Sequence, residues 1–152
     1  MLALNLPQKE MEDLCVKQLK AGDAIWFACD AGAYGARKEG VWDPESVCCE
    51  ALLGGFSTDM PKGRRLEYNS SSATHAMILV GVHFDETGAP DRWKIENSWG
   101  KDVGDGGYFV CSEKYFEDFV YEAVINKKHL TDAHLKMLED EPVIINAWDE
   151  DH

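Results

Sequence analysis

Trp93-Lys94-Ile95-Glu96-Asn97-Ser98-Trp99-Gly100 is the stretch on which the reading of this chain turns. In extended form Trp93, Ile95 and Asn97 share one face, and Lys94, Glu96 and Ser98 share the other. An amide at a strand end, then a Trp and a Gly, is an odd closure for an ordinary sheet. Asn is a poor strand former, and Gly ends a strand abruptly. Upstream, Ser70-Ser71-Ser72-Ala73-Thr74-His75 opens the most apolar segment of the protein, Ala76-Met77-Ile78-Leu79-Val80. Two strands are therefore expected, Ala76–Phe84 and Arg92–Asn97, joined by the turn residues of Asp85–Pro90 as a hairpin. The hairpin sets a His at the mouth of one strand against an Asn at the end of the next.

Around this hairpin the chain reads as helices early and strands late. Pro7–Lys20 is a helix with Met11, Leu14, Cys15 and Leu19 on one stripe, stopped at Gly22. Ala24–Cys29 is a short apolar strand, Asp30–Asp43 a glycine-containing loop, and Asp43–Leu53 a helix with an Asp cap ended by Gly54-Gly55. Ser57–Ser72 reads as a polar surface loop. Gly106–Ser112 and Phe119–Ile125 are strands separated by a capped helical turn at Ser112–Glu117. Thr131–Glu139 is a short helix, and Pro142–Trp148 an extended apolar arm. The expected class is α+β, built on an antiparallel sheet or barrel with peripheral helices.

Bulk properties narrow the functions available. At 152 residues, 45% hydrophobic and 28% charged, the chain matches one soluble globular domain. A net charge of -13 argues against nucleic acid or an anionic membrane as a partner, because a phosphate field requires a basic patch. Lys62-Gly63-Arg64-Arg65 and Lys127-Lys128 read as solvated loops. No apolar run approaches a membrane span, and no signal peptide is evident. Five cysteines, Cys15, Cys29, Cys48, Cys49 and Cys111, lack metal spacing and suit reduced, buried thiols of a cytoplasmic protein.

The chemistry-bearing residues are few. An imidazole becomes a useful base when a second group fixes its ring, and an amide oxygen does so without adding charge. That suits a resting state in which an imidazolium already faces a thiolate. From patterning alone, His75 and Asn97 read either as two members of a Cys-His-Asn set or as a capped core histidine and a turn asparagine. The expected bond runs from Nδ1–H to the amide, leaving Nε2 outward. His83 lies too far along the strand from His75 to share a metal, and His129, His134 and His152 read as surface residues. Gly100–Gly107 lacks a phosphate-loop lysine, and Ser98 lacks a nucleophile-elbow context. No cofactor and no metal are indicated.

Thr74-His75-Ala76-Met77, Trp93–Gly100 and Gly106-Gly107-Tyr108-Phe109 together resemble the His and Asn segments of papain-like cysteine peptidases. The narrower resemblance is to the bleomycin hydrolase / aminopeptidase C branch. It rests on Ile25–Asp30, on Phe119–Glu122 with Lys127-Lys128-His129, and on Pro142–Asp149, all in the family's order along nearly the whole chain. The resemblance implies that residues 1–152 form a single domain, the C-terminal His/Asn-bearing lobe of the papain-like fold. Met1 then falls in what resembles the middle of a family member. The family's nucleophile lies in a Gln-x-Gly-x-Cys-Trp segment that nothing here matches, so the Cys-bearing lobe is expected to be absent.

Implied roles follow from that resemblance. His75 is the proton acceptor, Asn97 its orienter, and Trp99 a cover over their hydrogen bond. The reaction implied is hydrolysis of N-terminal residues from a peptide substrate through an acyl-thioenzyme, with the missing lobe as partner and a hexamer as the assembly. A family arm is implied to gate the cleft, although here Ala147-Trp148-Asp149 continues into Glu150-Asp151-His152. The rival expectation is a non-catalytic binding or assembly domain that keeps the fold. No local cysteine reads as a substitute nucleophile. Cys48 falls inside an expected helix among acidic residues, Cys15 on a buried helical stripe, and Cys29 and Cys111 on strands.

Overall fold

The computed structural model describes residues 3–47, 49–52, 54–55, 57 and 59–144. Helix α1 (Gln8–Lys20) starts behind Pro7, carries Lys17 and Lys20 in its last turn, and lays Leu14 and Cys15 onto the core. Strand β1 (Ile25–Cys29) follows, then two-residue strands β2 (Gly35–Ala36) and β3 (Val41–Trp42). A 3-10 turn at Pro44–Ser46 and two short helices, α2 (Cys49–Leu52) and α3 (Lys62–Glu67), lead to β4 (His75–Phe84) and β5 (Pro90–Glu96). The rest comprises β6 (Tyr108–Ser112), α4 (Glu113–Phe119), β7 (Val120–Ala123), a 3-10 turn at Lys127–His129 and α5 (Asp132–Met137).

The seven strands form one sheet in the order β2-β3-β6-β5-β4-β1-β7. All pairs are antiparallel except β3 with β6, which is parallel. The sheet has two edges, β2 and β7, so it is an open half-barrel rather than a closed barrel. The β4–β5 hairpin is closed by the Asp85 carboxylate, which accepts from the N–H groups of Thr87 and Ala89 at 2.8 and 3.0 Å. Irregularities at Leu79/Gly81 and His83/Phe84 bend this hairpin, as bulges do.

One face of the sheet carries the core: Ile25, Phe27, Cys29, Met77, Leu79, Trp93, Ile95, Phe109 and Cys111. Helix α4 brings Tyr115, Phe116 and Phe119 onto it, and Phe116 stacks on Trp93 at 4.1 Å. Fully burying each such aromatic stabilises the fold by roughly 1.5–3 kcal/mol. Trp42, on the short β3, stacks on Phe109 at 4.8 Å and donates its indole N–H to the Ala31 carbonyl. That side chain, with the β3–β6 pairing, attaches the β2–β3 segment to the core.

Several local expectations are overturned. The helix expected over Asp43–Leu53 is a 3-10 turn and a separate four-residue helix, broken at Val47, which has extended backbone. The loop expected over Ser57–Ser72 contains α3, and its basic residues are not simply solvated. Lys62 donates to the Gln8 side chain and to the Val120 carbonyl, while buried Arg65 faces Asp118 and lies over the Phe119 ring. The Lys127-Lys128 stretch likewise forms a 3-10 turn, with Lys128 paired to Asp23. His129 and His134 are buried, because each meets a carboxylate near the other end of the chain. His129 Nε2 lies 3.2 Å from Asp23, and His134 Nε2 lies 2.8 Å from Glu10. The apolar arm is described only to Ile144, with Val143 and Ile144 exposed. Its Ala147-Trp148-Asp149 portion, His152 and Cys48 lie outside the described residues.

Candidate active site

His75 is the first residue of β4, and its backbone pairs with Cys29 of β1. Asn97 directly follows the last residue of β5, whose Glu96 pairs with Ile78. Antiparallel pairing therefore brings the start of β4 beside the end of β5, and His75 Nε2 lies 3.0 Å from Asn97 Oδ1. The nitrogen engaged is Nε2, not the Nδ1 expected. Nε2 is the ring nitrogen remote from the backbone, and it spans the gap to the neighbouring strand.

Ser98 decides the tautomer. Its backbone N–H donates to the same Asn97 Oδ1 at 2.8 Å, which identifies that atom as the oxygen rather than the amide nitrogen. An oxygen only accepts, so His75 Nε2 carries a proton, and in the neutral ring Nδ1 presents the lone pair. The Asn97 Nδ2 amide group is buried without a partner among the described residues. The Asn97 backbone N–H donates to Gly107 O at 3.1 Å. Gly107 holds a φ of +94°, and a side chain there would press to 3.3 Å from the Gly100 carbonyl. The glycine-rich turn thus fixes the backbone from which Asn97 reaches.

Trp99, half-buried, stacks on the His75 ring with centroids 4.9 Å apart and planes 18° apart. It also meets Phe109 edge-on at 5.7 Å and Trp42 at 5.8 Å. A chain of aromatics therefore runs from the core to the imidazole, and it restricts the ring to one plane. The Arg37 guanidinium lies 4.5 Å over the Trp99 ring, a contact nothing in the sequence pattern signals.

Cys15, Cys29 and Cys111 cannot serve this imidazole as a nucleophile. Cys15, Cys29 and Cys111 are free and fully buried. Burial pushes the Cys15 thiol up to about 12 and the Cys29 thiol up to about 11, and it raises Cys111 well above the ordinary thiol range. The thiol form is inert as a nucleophile.

Other polar groups stand apart from this arrangement. Exposed His83 pairs with Asp91 at 2.5 Å, at the far end of β4 from His75. Carboxylates of Glu12, Glu113 and Glu117 gather within 4.8 Å of one another at the α1–α4 contact. There Lys9 pairs with Glu12, and the Trp93 indole N–H donates to Glu113 Oε2 at 2.6 Å. Sequence spacing gives no hint of this cluster, because α1 and α4 lie about a hundred residues apart. No helix among the described residues is long and apolar enough to cross a membrane.

Comparison with known proteins places the chain in a family. Aminopeptidase C of Listeria monocytogenes is 36% identical over 146 residues, covering 96% of this chain and 33% of its own length. Aminopeptidase C of Lactococcus lactis is 38% identical over the same shares. Human bleomycin hydrolase is 37% identical over 147 residues, covering 95% of this chain and 32% of its own length. The chain therefore spans about a third of the length of these relatives. The crystal structure of PepW from Lactobacillus rhamnosis HN001 superposes with a TM-score of 0.90 at 42% identity, over 97% of this chain and 33% of that one. The fold is that of a papain-like α+β lobe, with the largely antiparallel sheet expected. The model of the peptidase C1-like family matches residues 1–151, and this chain belongs to that family.

Proposed function

We propose that this chain is the His/Asn-bearing C-terminal lobe of a cysteine-type aminopeptidase that removes N-terminal residues from peptides. The carrying observation is the His75–Asn97 bond, whose direction Ser98 fixes and whose ring Trp99 stacks upon. With Nε2–H committed to Asn97, Nδ1 is the nitrogen that exchanges a proton with the reacting groups. It takes the proton of a thiol to give a thiolate–imidazolium pair. The thiolate attacks the scissile carbonyl carbon, and the tetrahedral adduct collapses as Nδ1–H protonates the departing amine. Nδ1 then takes a proton from water, the hydroxide displaces the thiolate from the acyl carbon, and the acid leaves.

Asn97 contributes orientation without charge, so the imidazolium remains available to balance the thiolate. The attacking sulfur is assigned to a segment outside these 152 residues, a partner lobe with the Gln-x-Gly-x-Cys-Trp pattern. The relatives' names support the aminopeptidase reading, and the homohexamer implied by the family is part of this proposal.

The test is to join this chain to a Cys-bearing lobe, encoded by its own upstream or neighbouring reading frame. Aminoacyl-amide hydrolysis is then measured with His75→Ala and Asn97→Ala variants. Turnover that falls by orders of magnitude in His75→Ala supports the proposal, and turnover indifferent to His75 refutes it. A non-catalytic binding or assembly role becomes the better reading if no reading frame supplies that segment.

A further inference from the structure

We infer that Arg37 is a carboxylate receptor beside the His75–Asn97 pair, favouring peptides with a carboxylate on the residue behind the scissile amide. The chain has four arginines, at 37, 64, 65 and 92, and carries 28 acidic residues against 15 lysines and arginines. Three of the four sit within ion-pair distance of a carboxylate: Arg64 with Glu67, Arg65 with Asp59 and Asp118, Arg92 with Asp91. Arg37 has no such partner among the described residues. It is exposed and stands over Trp99 instead, its central carbon 4.5 Å from the ring centroid.

The position of Arg37 is set by the backbone. Gly40 and Gly104 approach so closely that a side chain on Gly40 would reach 2.6 Å from the Gly104 Cα. Gly104 N donates to Lys38 O at 3.1 Å, Gly40 N to Ala36 O at 2.9 Å, and Val110 N to Gly40 O at 2.8 Å. These bonds clamp the turn carrying Arg37 against the turn carrying Trp99. A guanidinium standing over an indole ring keeps its N–H donors available, and those donors match a carboxylate two at a time.

The direction of the preference follows from the proposed chemistry, on which this part of the inference rests. The imidazole must protonate the departing amine, so the residue behind that amine lies next to His75. Trp99 flanks that ring, and Arg37 stands beyond Trp99. A free α-carboxylate, or an acidic side chain on that residue, would lie within reach of Arg37.

The experiment uses the present chain and needs no turnover. The indole N–H resonance of Trp99 is followed by NMR during titration with Ala-Ala, with Ala-Ala amide, and with Ala-Glu amide. Ala-Ala is expected to half-saturate at about fivefold lower concentration than its amide, the modest gain of a solvent-exposed charged contact. Ala-Glu amide matching Ala-Ala would place the acidic side chain on Arg37; Ala-Glu amide matching Ala-Ala amide would restrict the receptor to the chain terminus. Arg37→Gln is expected to erase the difference and Arg37→Lys to restore part of it, with the Trp99 resonance retained as evidence of folding. Equal midpoints for all three ligands, or a preference untouched in Arg37→Gln, overturn the inference. Carboxylate preference without turnover in the two-lobe protein would count against the peptidase reading alone. Turnover without carboxylate preference would count against Arg37 alone.

Discussion

The imidazole of His75 and the indole of Trp99 lie face to face, with centroids 4.9 Å apart and planes 18° apart. Stacking and the Asn97 bond restrain the same ring in different ways. The stack fixes the plane of the ring, while the Nε2–Oδ1 bond fixes its rotation within that plane. Together they leave Nδ1 a defined direction, the preorganisation that the proposed proton transfer needs.

Asn97→Ala removes the oxygen that accepts from both Ser98 N–H and His75 Nε2–H. The expected stability loss is about 1–2 kcal/mol, moderated because the unpartnered Asn97 amide group leaves the interior as well. The more specific readout is the pair of imidazole nitrogen shifts of His75. In the parent chain they should report a single tautomer protonated at Nε2, and in the variant a mixture. Identical nitrogen shifts in the two proteins would refute the assignment of Asn97 as the group that sets the tautomer.

Gly104→Ala and Gly106→Ala form a matched pair, since both positions have a φ of +61°. At Gly104 a methyl group would lie 2.4 Å from the Tyr108 carbonyl oxygen, whereas at Gly106 nothing lies within 4 Å. The left-handed backbone alone costs about 1–2 kcal/mol, which is the expectation for Gly106→Ala. Gly104→Ala should cost at least about 2 kcal/mol more, from the clash. It should also weaken the Arg37–Trp99 contact, because the same backbone holds both turns. Chemical denaturation with equal losses for the two variants would show that the close approach is not real.

The hairpin that joins His75 to Asn97 was legible in the sequence because two local signals agreed, alternation in the strands and turn residues between them. The choice of Nε2 over Nδ1 was not, since it depends on a rotamer and on Ser98 N–H, a backbone group that no side-chain pattern reveals. Helix α3 was missed because Lys62-Gly63-Arg64-Arg65-Leu66-Glu67 contains a glycine and a single apolar residue. Its support comes from Lys62 and Arg65 reaching Val120 O and Asp118 more than fifty residues away. The same limit hid the burial of His134, which pairs with Glu10 across 124 positions. Arg37 is not legible as a site residue, because its neighbour Trp99 lies on another turn, joined by a glycine contact that spacing cannot show.

The thiols offer a test of where the nucleophile is not. Cys15, Cys29 and Cys111 are buried, with pKa values raised by that burial. Iodoacetamide at pH 8 should therefore leave all three unlabelled in the folded chain and label them fully in denaturant, as read by peptide mass spectrometry. The isolated chain should not hydrolyse an aminoacyl amide, because imidazole without a thiolate is a feeble catalyst. Turnover abolished by alkylation and by Cys48→Ser would overturn this and make Cys48 the nucleophile.

Glu113 sets a pH dependence whose sign can be worked out. Removal from water pushes its carboxyl up to about 8, from an ordinary value of 4.5. The Trp93 N–H bond opposes that rise, and the negative charges of Glu12 and Glu117 add to it. Around it, α1 contributes Lys9, Glu12 and Asp13, α4 contributes Glu117, and β5 contributes the Trp93 N–H. Glu113 Oε1 is buried with no hydrogen-bond partner among the described residues, as suits a protonated acid beside the Glu12 carboxylate. The folded state thus holds a proton that the unfolded chain has already released above about pH 4.5. Its contribution to stability is present in full below that value and is lost as pH rises to about 8. In Glu113→Gln the amide can still accept from Trp93, and the group no longer titrates. The difference in melting temperature between parent and variant should therefore move steadily against the parent from pH 5 to pH 8 and level off beyond. Taking the difference cancels every contribution that the two proteins share. Parallel pH profiles for the two proteins would show that Glu113 is ionised throughout and that no proton is held between α1 and α4.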